Sequence, residues 1–436
     1  MPSTIEGHMR TTLRAAAALA AAATLAVTAA ACGSSDEGDA ATSTSASGAA
    51  AGTTTAGSAS TTPDAPAGTP VKVMAMGTFT GPFDLSYAPK AAAAAAQAVN
   101  AAGGVAGGEL QLLTCDDGGD PAKNLKCARE AVDARVAAVV SIEAVSGDYV
   151  GVLEKAGIPL VAPYGLVPEE LSGRTSFPIT AGGPGLTAGA GAAVADAGAK
   201  QVAIVYEGTQ AGQLSAQAGA AGLASRGLRP VKQVAMPIDT PDASSVVAAS
   251  TGDDVDGVVL LVRPESAAKY LLAKSQSGSD ALVGSYDSSL VPAVIEQLGP
   301  AADGVVMASS FKPPTESDDP GVKRYLDELA AYDESLEPAK FAIPGAGEQI
   351  WSAVHLFAET ADRLDSVDAA SVLAALPRVT AFDSGLSAPV DFAAPIRAFP
   401  GLTRIFNTKM LFGTVKDGAF VPTDGSFSDP LGPPQG

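Results

Sequence analysis

Few side chains of this sequence have the chemistry of a catalytic site. Its 436 residues include two histidines, His8 and His355, and three cysteines. Histidine triads and multi-histidine metal sites are therefore hard to build, and neither a G-x-S-x-G nucleophile turn nor a G-x-x-x-x-G-K-[ST] phosphate loop occurs. We expect no enzyme activity, no catalytic residue, no metal and no cofactor.

Two cysteines, Cys115 and Cys127, have the spacing of a structural pair. The first follows an apolar stretch that predicts a strand, and the second lies in a helical pattern. No histidine or further cysteine stands near them, so the even pair predicts a disulfide rather than a metal site. A disulfide that closes a loop this short contributes about 2 to 3 kcal/mol to stability.

The charge of the chain limits its partners. Asp and Glu outnumber Lys and Arg 47 to 27, for a net charge of -20. An acidic surface repels phosphate backbones and anionic lipids, so nucleic acid is excluded as a partner.

A targeting segment is predicted at residues 1–31. Arg10 and Arg14 precede an alanine-rich apolar stretch, which is the layout of a signal peptide. The stretch ends in small residues before Cys32 and resembles a lipobox, which predicts an extracytoplasmic chain anchored to the cell membrane through lipid on Cys32. Ala29 stands where lipoboxes usually carry leucine, which leaves open a secreted form cleaved nearby.

Residues 32–69 are mostly Ser, Thr, Ala, Gly and Asp, and they contain no aromatic or large aliphatic residue. Such a segment buries too little apolar surface to order itself, so we predict a disordered tether.

Met9 directly precedes the basic region, so both Met1 and Met9 are candidate start residues. Export would also place Cys115 and Cys127 in an oxidising compartment.

From residue 71 onward, short apolar strands alternate with helical patterns of about ten to fifteen residues. This alternation predicts an α/β fold with two doubly wound lobes, each a parallel sheet covered by helices. Asp417-Gly418 predicts a hairpin near the end. Gly189 and Gly191 do not follow a strand at dinucleotide-binding spacing, so we expect them to serve helix packing. The predicted strands are 71–76, 109–113, 137–141 and 159–162 in a first series, and 201–206, 230–236, 257–262, 281–284 and 304–308 in a second.

In this order the chain resembles the type I periplasmic binding proteins, and specifically the branched-chain amino acid (leucine/isoleucine/valine) binding family. The resemblance covers residues 71–420. It is carried by Gly77-Thr78-Phe79-Thr80-Gly81-Pro82, by Val99-Asn100 through Gly107-Gly108, by Cys115-Asp116-Asp117 with Asp120-Pro121, by Gly157-Ile158-Pro159 with Ala162-Pro163, and by Arg404-Ile405-Phe406-Asn407.

The resemblance implies two lobes joined by a hinge of three crossing strands. Lobe 1 would hold residues 70–181 and 310–395, and lobe 2 would hold 182–309 and 396–436. A small solute would bind in the cleft between them and be buried by hinge closure. The implied partners are the solute and the permease subunits of an ABC importer, and we expect a monomer.

The resemblance also places candidate ligand contacts, and Asp287 is the strongest because it stands where the family holds the ligand ammonium; a turn acid before Ser288 is the alternative. Glu143 and Leu166 stand near the family's serines and threonine, which puts the family's carboxylate contacts in doubt. Trp351 is spaced with Val354 and Phe357 on one face of a predicted helix, so we expect it in the core rather than in the cleft. The full set of predicted ligand-binding residues is Phe83, Tyr87, Glu143, Ser146, Tyr164, Gly165, Leu166, Glu207, Thr209, Tyr286 and Asp287.

The sequence thus predicts an extracytoplasmic substrate-binding lipoprotein of an ABC importer that captures a small polar solute, with a branched-chain amino acid as the first candidate. A ligand-sensing module for a membrane receptor is the main alternative, and a secreted hydrolase is a third. Neighbouring genes separate the first two, since an importer subunit is encoded beside permease and ATPase genes and a sensor beside a membrane kinase.

Overall fold

The computed structural model describes residues 68–81, 84–252, 254–336 and 344–433. The predicted signal segment, Cys32, most of the predicted tether and Phe83 lie outside the described residues. Two β-sheets with helices on both faces organise the described chain, which confirms the predicted α/β class. No helix in these described ranges is long and apolar enough to cross a membrane.

The first sheet has five parallel strands in the order β2-β1-β3-β4-β5. Its strands are β1 (Gly68–Gly77), β2 (Gly108–Asp116), β3 (Ala138–Ile142), β4 (Leu160–Val161) and β5 (Ser176–Phe177). The helices between them are α1 (Tyr87–Ala101), α2 (Pro121–Ala134) and α3 (Asp148–Ala156). The N–H of Gly68 donates to the carbonyl oxygen of Gly107 (2.7 Å), so β1 takes in two residues of the range assigned to the tether.

The second sheet has seven strands in the order β12-β11-β10-β9-β8-β6-β7. Its strands are β6 (Val202–Glu207), β7 (Lys232–Met236), β8 (Gly257–Leu261), β9 (Leu282–Tyr286), β10 (Val306–Ser309), β11 (Leu411–Lys416) and β12 (Ala419–Pro422), and its helices are α4 (Gly182–Asp196), α5 (Gln210–Ser225), α6 (Ser244–Ser250), α7 (Pro264–Ser277) and α8 (Pro292–Leu298). The strands from β7 to β10 are parallel, while β11 and β12 form the predicted hairpin at Asp417-Gly418 and pair antiparallel.

Three later helices return to the first sheet: α9 (Pro320–Tyr332), α10 (Ala346–Ala361) and α11 (Ala369–Ala375). Alanines of α1, including Ala91, Ala92 and Ala95, are fully buried and allow α10 to pack closely against α1. Trp351 of α10 is fully buried in the same core, with its ring edge-to-face on Tyr325 at 5.5 Å between centroids. Trp351 is therefore a core residue, as predicted.

Glycines bring α4 and α5 into backbone contact. A Cβ added to Gly191 would lie 2.2 Å from the carbonyl oxygen of Gly219, and one added to Gly222 would lie 1.9 Å from that of Ala188. A side chain at either position would force the helices apart. Gly191 thus serves helix packing, as the sequence indicated. Gly189 packs α4 on the second sheet instead, since a Cβ there would lie 2.6 Å from that of Ala308 in β10.

Three segments pass between the sheets, and the segment before β11 is tied to its neighbours. The amide of Asn407 donates to the carbonyl oxygens of Ile179 (3.1 Å) and Ala388 (3.0 Å). Arg404 donates from Nε to the carbonyl oxygen of Ser176 (2.8 Å), and its guanidinium lies 4.4 Å from the ring centre of Phe177. These contacts hold the last crossing segment beside the first.

The predicted disulfide joins Cys115, at the end of β2, to Cys127 inside α2, with 5.7 Å between their Cα atoms. Asp120 caps the intervening helix start by accepting hydrogen bonds from the N–H groups of Ala122 and Lys123. The bridge and the cap together fix the first turn of α2 against the sheet edge.

We predict that replacing both cysteines by serine lowers the free energy of unfolding by about 2 to 3 kcal/mol, because the unfolded chain regains the freedom of the closed loop. For a body of this size that is a fall of about 3 to 4 °C in the unfolding midpoint. Thermal unfolding with and without reductant checks it. Reductant should lower the midpoint of the native protein and leave the double variant unchanged; an equal effect on both would contradict the prediction.

Candidate functional site

Ionisable side chains lie at the ends of parallel strands in both sheets. Glu143 follows β3, Tyr164 follows β4, and Asp287 follows β9. The carboxyl ends of parallel strands are where open α/β sheets place ligands. The hydroxyl of Tyr164 donates to Oδ1 of Asp287 (3.3 Å), so side chains that follow strands of different sheets touch here.

Asp287 is buried, with 1% of its surface exposed, and its carboxylate accepts four hydrogen bonds. Oδ2 accepts from the hydroxyl of Ser309 (2.9 Å) and the N–H of Ser310 (3.3 Å), both at the end of β10. Oδ1 accepts from the N–H of Ser288 (2.6 Å) and from Tyr164. Burial raises the pKa of Asp287 to about 6, against the effect of these bonds. Asp287 therefore accepts a hydrogen bond from the N–H of Ser288, as a turn acid does, and it is also a buried acid between the strand ends of the two sheets.

Glu143 has left-handed backbone geometry, with a φ of 48°. Its carbonyl oxygen lies 2.9 Å from the hydroxyl of Thr78, which is also 2.7 Å from Oδ1 of Asp117 and shares its one proton between them. Burial raises the pKa of Glu143 to about 7, and the charges of Glu170 and Asp287 add to the rise. This conformation costs free energy for a residue with a side chain, so the loop after β3 is held in it by its surroundings.

Glu170 is a fully buried carboxylate beneath the loop that follows β4. Its Oε2 accepts from the N–H groups of Gly165 (2.9 Å) and Leu166 (3.0 Å), and its Oε1 accepts from the hydroxyl of Tyr149 (2.5 Å). Burial raises its pKa to about 7. Two N–H groups in a loop that the resemblance assigned to the ligand carboxylate therefore donate to a carboxylate of the chain itself.

Glu348 lies in the first turn of α10, with 1% of its surface exposed. Its Oε2 accepts from the N–H of Gly345 (2.9 Å), while its Oε1 has no hydrogen-bond partner among the described residues. Burial raises the pKa of Glu348 to about 8, and the charge of Asp287 adds to the rise. The next residue, Gln349, donates from Nε2 to the carbonyl oxygens of Ala162 (2.6 Å) and Pro163 (3.1 Å), which ties the start of α10 to the loop after β4.

Four tyrosines surround these carboxylates: Tyr87 on α1, Tyr164, Tyr286 at the end of β9, and Tyr325 on α9. Burial raises the pKa of Tyr87, and the charges of Glu348, Glu143 and Asp287 raise it further. A Cβ added to Gly347 would lie 2.5 Å from the hydroxyl of Tyr325 and 3.2 Å from the ring of Tyr87. Both rings therefore pack against the first turn of α10.

Other predicted contacts have partners within the chain. Glu207 forms two hydrogen bonds with the guanidinium of Arg263, at 2.8 Å to Nε and 2.9 Å to Nη2. Thr209 caps α5 by accepting from the N–H of Gly212 (2.9 Å). The hydroxyl of Ser146 accepts from the N–H of Asp148 (3.3 Å). Leu166 leaves 37% of its surface exposed. Phe83 lies outside the described residues.

Sequence reasoning missed Glu170 and Glu348. Each was a polar residue in a segment interpreted by its local pattern, a loop and an amphipathic helix. For Glu348 the sequence did contain an indication of burial. Gly345-Ala346-Gly347 before it have no bulky side chains, so other segments can pack closely against the start of the helix. What buries both acids is packing between segments far apart in the sequence.

The family profile described as "Periplasmic binding protein" matches residues 70–419. This chain belongs to the periplasmic binding protein family. Its members bind small solutes, work with ABC permeases and act outside the cytoplasm, so the family places this periplasmic binding protein among substrate-binding proteins. The search of curated proteins found no match.

Solved structures of the same fold include two with an amino acid bound. The branched-chain amino acid transporter substrate-binding protein LivJ of Streptococcus pneumoniae, in complex with isoleucine, is 18% identical with a TM-score of 0.65, over 81% of this chain and 99% of that one. A branched-chain amino acid ABC transporter protein of Thermus thermophilus with bound valine is 18% identical with a TM-score of 0.66, over 83% and 96%. A fatty acid ABC transporter substrate-binding protein of Thermomonospora curvata is 16% identical with a TM-score of 0.67, over 81% and 91%.

We predict that the solute-free protein loses stability as the pH rises from about 4.5 to 8. An acid whose pKa is raised by folding holds its proton more tightly in the folded state, so its contribution is full below the unfolded pKa and is lost as the pH passes the folded value. For Glu348 that window runs from its usual 4.5 to about 8.

The Glu348→Gln variant cannot ionise and keeps the helix cap, so its unfolding midpoint should fall less over this range than that of the native protein. Glu359→Gln is the matched control, because Glu359 is exposed on the same helix. Thermal unfolding at several pH values measures both. Equal slopes for Glu348→Gln and the native protein would contradict the prediction.

Proposed function

We propose that this periplasmic binding protein is the solute-binding component of an ABC importer and that it captures a small polar solute between its lobes, with an ammonium group of the solute against Asp287. The observation that carries the proposal is the buried carboxylate of Asp287 at the contact with Tyr164. No ion pair neutralises Asp287 within the described part of the chain. A buried charge ordinarily has a partner, and a solute ammonium would supply one.

Two of the four hydrogen bonds to Asp287, those from Tyr164 and Ser310, are long at 3.3 Å, so they are the ones that a stronger donor would replace. A charge-assisted N–H donor at its usual distance of about 2.7 to 2.9 Å would take the place of the Tyr164 hydroxyl. Contact with the solute would then link the loop after β4 to the end of β9, as closure of two lobes around a ligand requires.

A branched-chain amino acid is the first solute to test, since relatives of the same fold have isoleucine and valine bound. The ammonium half of such a solute has a partner in Asp287. The carboxylate half would need donors other than the N–H groups of Gly165 and Leu166, which bond Glu170.

The proposed lobes are residues 70–181 with 310–395, and 182–309 with 396–436. The division is supported by the two separate sheets and by the return of α9, α10 and α11 to the first of them. We propose that the protein works as a monomer, because a trap that closes and docks on a permease needs both lobes free to move.

Replacing Asp287 by asparagine should weaken solute binding about 30-fold or more, because the ammonium loses its charged partner. Thermal unfolding is the measurement, with leucine, isoleucine, valine, amides, aromatic acids and nucleosides as solutes. A solute at 100 times its dissociation constant adds about 2.7 kcal/mol, a rise of about 3 to 4 °C. Asp280→Asn, an exposed acid before β9, is the control. If Asp287→Asn responds to a solute as the native protein does, the assigned contact is wrong.

Anchoring through Cys32 is a further part of the proposal, and its test is separate. In cells that process lipoproteins, the native protein should sediment with membranes and incorporate a fatty acid label. Cys32→Ala should do neither, because it has no thiol to take the lipid. Cys115→Ser is the control for loss of a cysteine as such. Membrane association that survives Cys32→Ala would favour a different anchor.

A further inference from the structure

Three acids lie in segments that meet at the strand ends. Asp287 follows β9, Glu348 begins α10, and Glu143 follows β3, which pairs with the strand that precedes Tyr164. The Tyr164 hydroxyl is 3.3 Å from Asp287 and 3.8 Å from where a Cβ on Gly345 would stand, and the N–H of Gly345 bonds Glu348. We infer that the solute is a small organic cation whose positive charge is not balanced by a carboxylate, and that Glu143 and Glu348 join Asp287 in holding it. This inference rests on the proposed function and narrows its solute class.

The cluster lacks a basic partner. Across the residues that the structure describes, no Lys, Arg or His forms an ion pair with Glu143, Asp287 or Glu348. Arg263, which follows β8, is bonded to Glu207. Asp287 and Glu348 are buried and Glu143 is half-buried. Acids held together without a cation oppose one another's ionisation, and a cationic solute would relieve that repulsion.

Glu348 supplies an observation independent of the cluster. Its Oε1 is buried and has no hydrogen-bond donor in the described ranges, although the N–H of Gly345 satisfies Oε2. Buried carboxylate oxygens without a donor are rare, because the lost hydration is not replaced. An ammonium or amide N–H of the solute would complete the set.

Aromatic groups face Glu348 from several elements. Tyr87 of α1 and Tyr325 of α9 pack against the first turn of α10. A Cβ added to Gly345 would lie 3.8 Å from the hydroxyl of Tyr164. Asp287 is the charged group that acts on Glu348 from the second sheet. Tyrosine rings beside carboxylates attract organic cations through their π faces.

The donors that the resemblance assigns to a solute carboxylate are used or missing here. The N–H groups of Gly165 and Leu166 already donate to Glu170. Leu166 has no hydroxyl to donate, and Glu143 presents a like charge at the other loop. Like charges brought together at an interface lower affinity strongly, so a solute that carries a carboxylate is disfavoured.

Binding of a cation should also expel protons. The pKa values of Glu143 and Glu348 are raised to about 7 and about 8, so both acids hold protons for part of the time at neutral pH. A cation favours the ionised forms, and linkage requires its affinity to rise as the pH increases from 6 to 8.

The experiment compares solutes that share a cation and differ by a carboxylate: leucinamide with leucine, and choline with glycine betaine. Calorimetric titration of the native protein gives each dissociation constant at pH 6 and 7, and also at pH 8 for choline and glycine betaine, whose quaternary nitrogen keeps its charge; the α-amino group of leucinamide loses its proton at about pH 8. We expect at least one cation to bind about tenfold more tightly than its carboxylate-bearing partner, with affinity rising with pH and protons released.

Glu348→Gln should weaken binding of that cation about tenfold and flatten its pH dependence, whereas Glu359→Gln on the exposed face should change neither. Folding of each variant is checked by its thermal transition. Because the solute pairs are measured on the native protein, the inference is tested even if Glu348→Gln does not fold.

The outcomes separate the two proposals. If neither leucinamide nor choline binds more tightly than its carboxylate-bearing partner, or if the affinity of the cation that binds falls as the pH rises over the range measured for it, the cation inference is wrong and the proposed function stands. If Asp287→Asn leaves the binding of every solute in both panels unchanged, the ammonium contact of the proposed function is wrong, and the cation inference fails with it.

Discussion

The carboxylate of Asp287 is the point on which the organisation of the site depends. It follows β9 of the second sheet and accepts hydrogen bonds from Ser309 and Ser310 at the end of β10. It also accepts a hydrogen bond from the hydroxyl of Tyr164, which follows β4 of the first sheet. A buried acid keeps its charge only if donors surround it. Three of the four donors to Asp287, Ser288, Ser309 and Ser310, stand at strand ends of the second sheet, and Tyr164 brings the fourth from the first sheet, so the set is complete only when both sheets are in place.

That requirement has an energetic side. Four carboxylates, those of Asp287, Glu143, Glu170 and Glu348, are held in surroundings that raise their pKa values. Each opposes folding when ionised, so evolution would have removed them if stability alone were selected. Glu170 offsets part of this cost by capping the loop N–H groups. The other three follow strands or begin a helix at the edge where open α/β sheets place ligands, which is the arrangement expected of acids kept for binding.

The sequence was sufficient for the parts of the structure that follow local rules. Alternating strands and helices gave the α/β class, the spacing of Cys115 and Cys127 gave the disulfide, and helical periodicity placed Trp351 in the core. Asp287 was found through a family resemblance. Glu170 and Glu348 were not found, because an acid in a loop or a helix start is ordinarily solvated, and only contacts between distant segments bury these two.

The glycine contacts between α4 and α5 have a consequence for how the protein can change. Those helices meet through backbone atoms, so their fit depends on the absence of side chains at positions such as Gly191 and Gly222 rather than on the identity of any residue at the strand ends. Substitutions among the acids and tyrosines leave that framework untouched. A lineage could therefore exchange one nutrient for another by altering a few loop positions, while the scaffold that carries them is inherited unchanged.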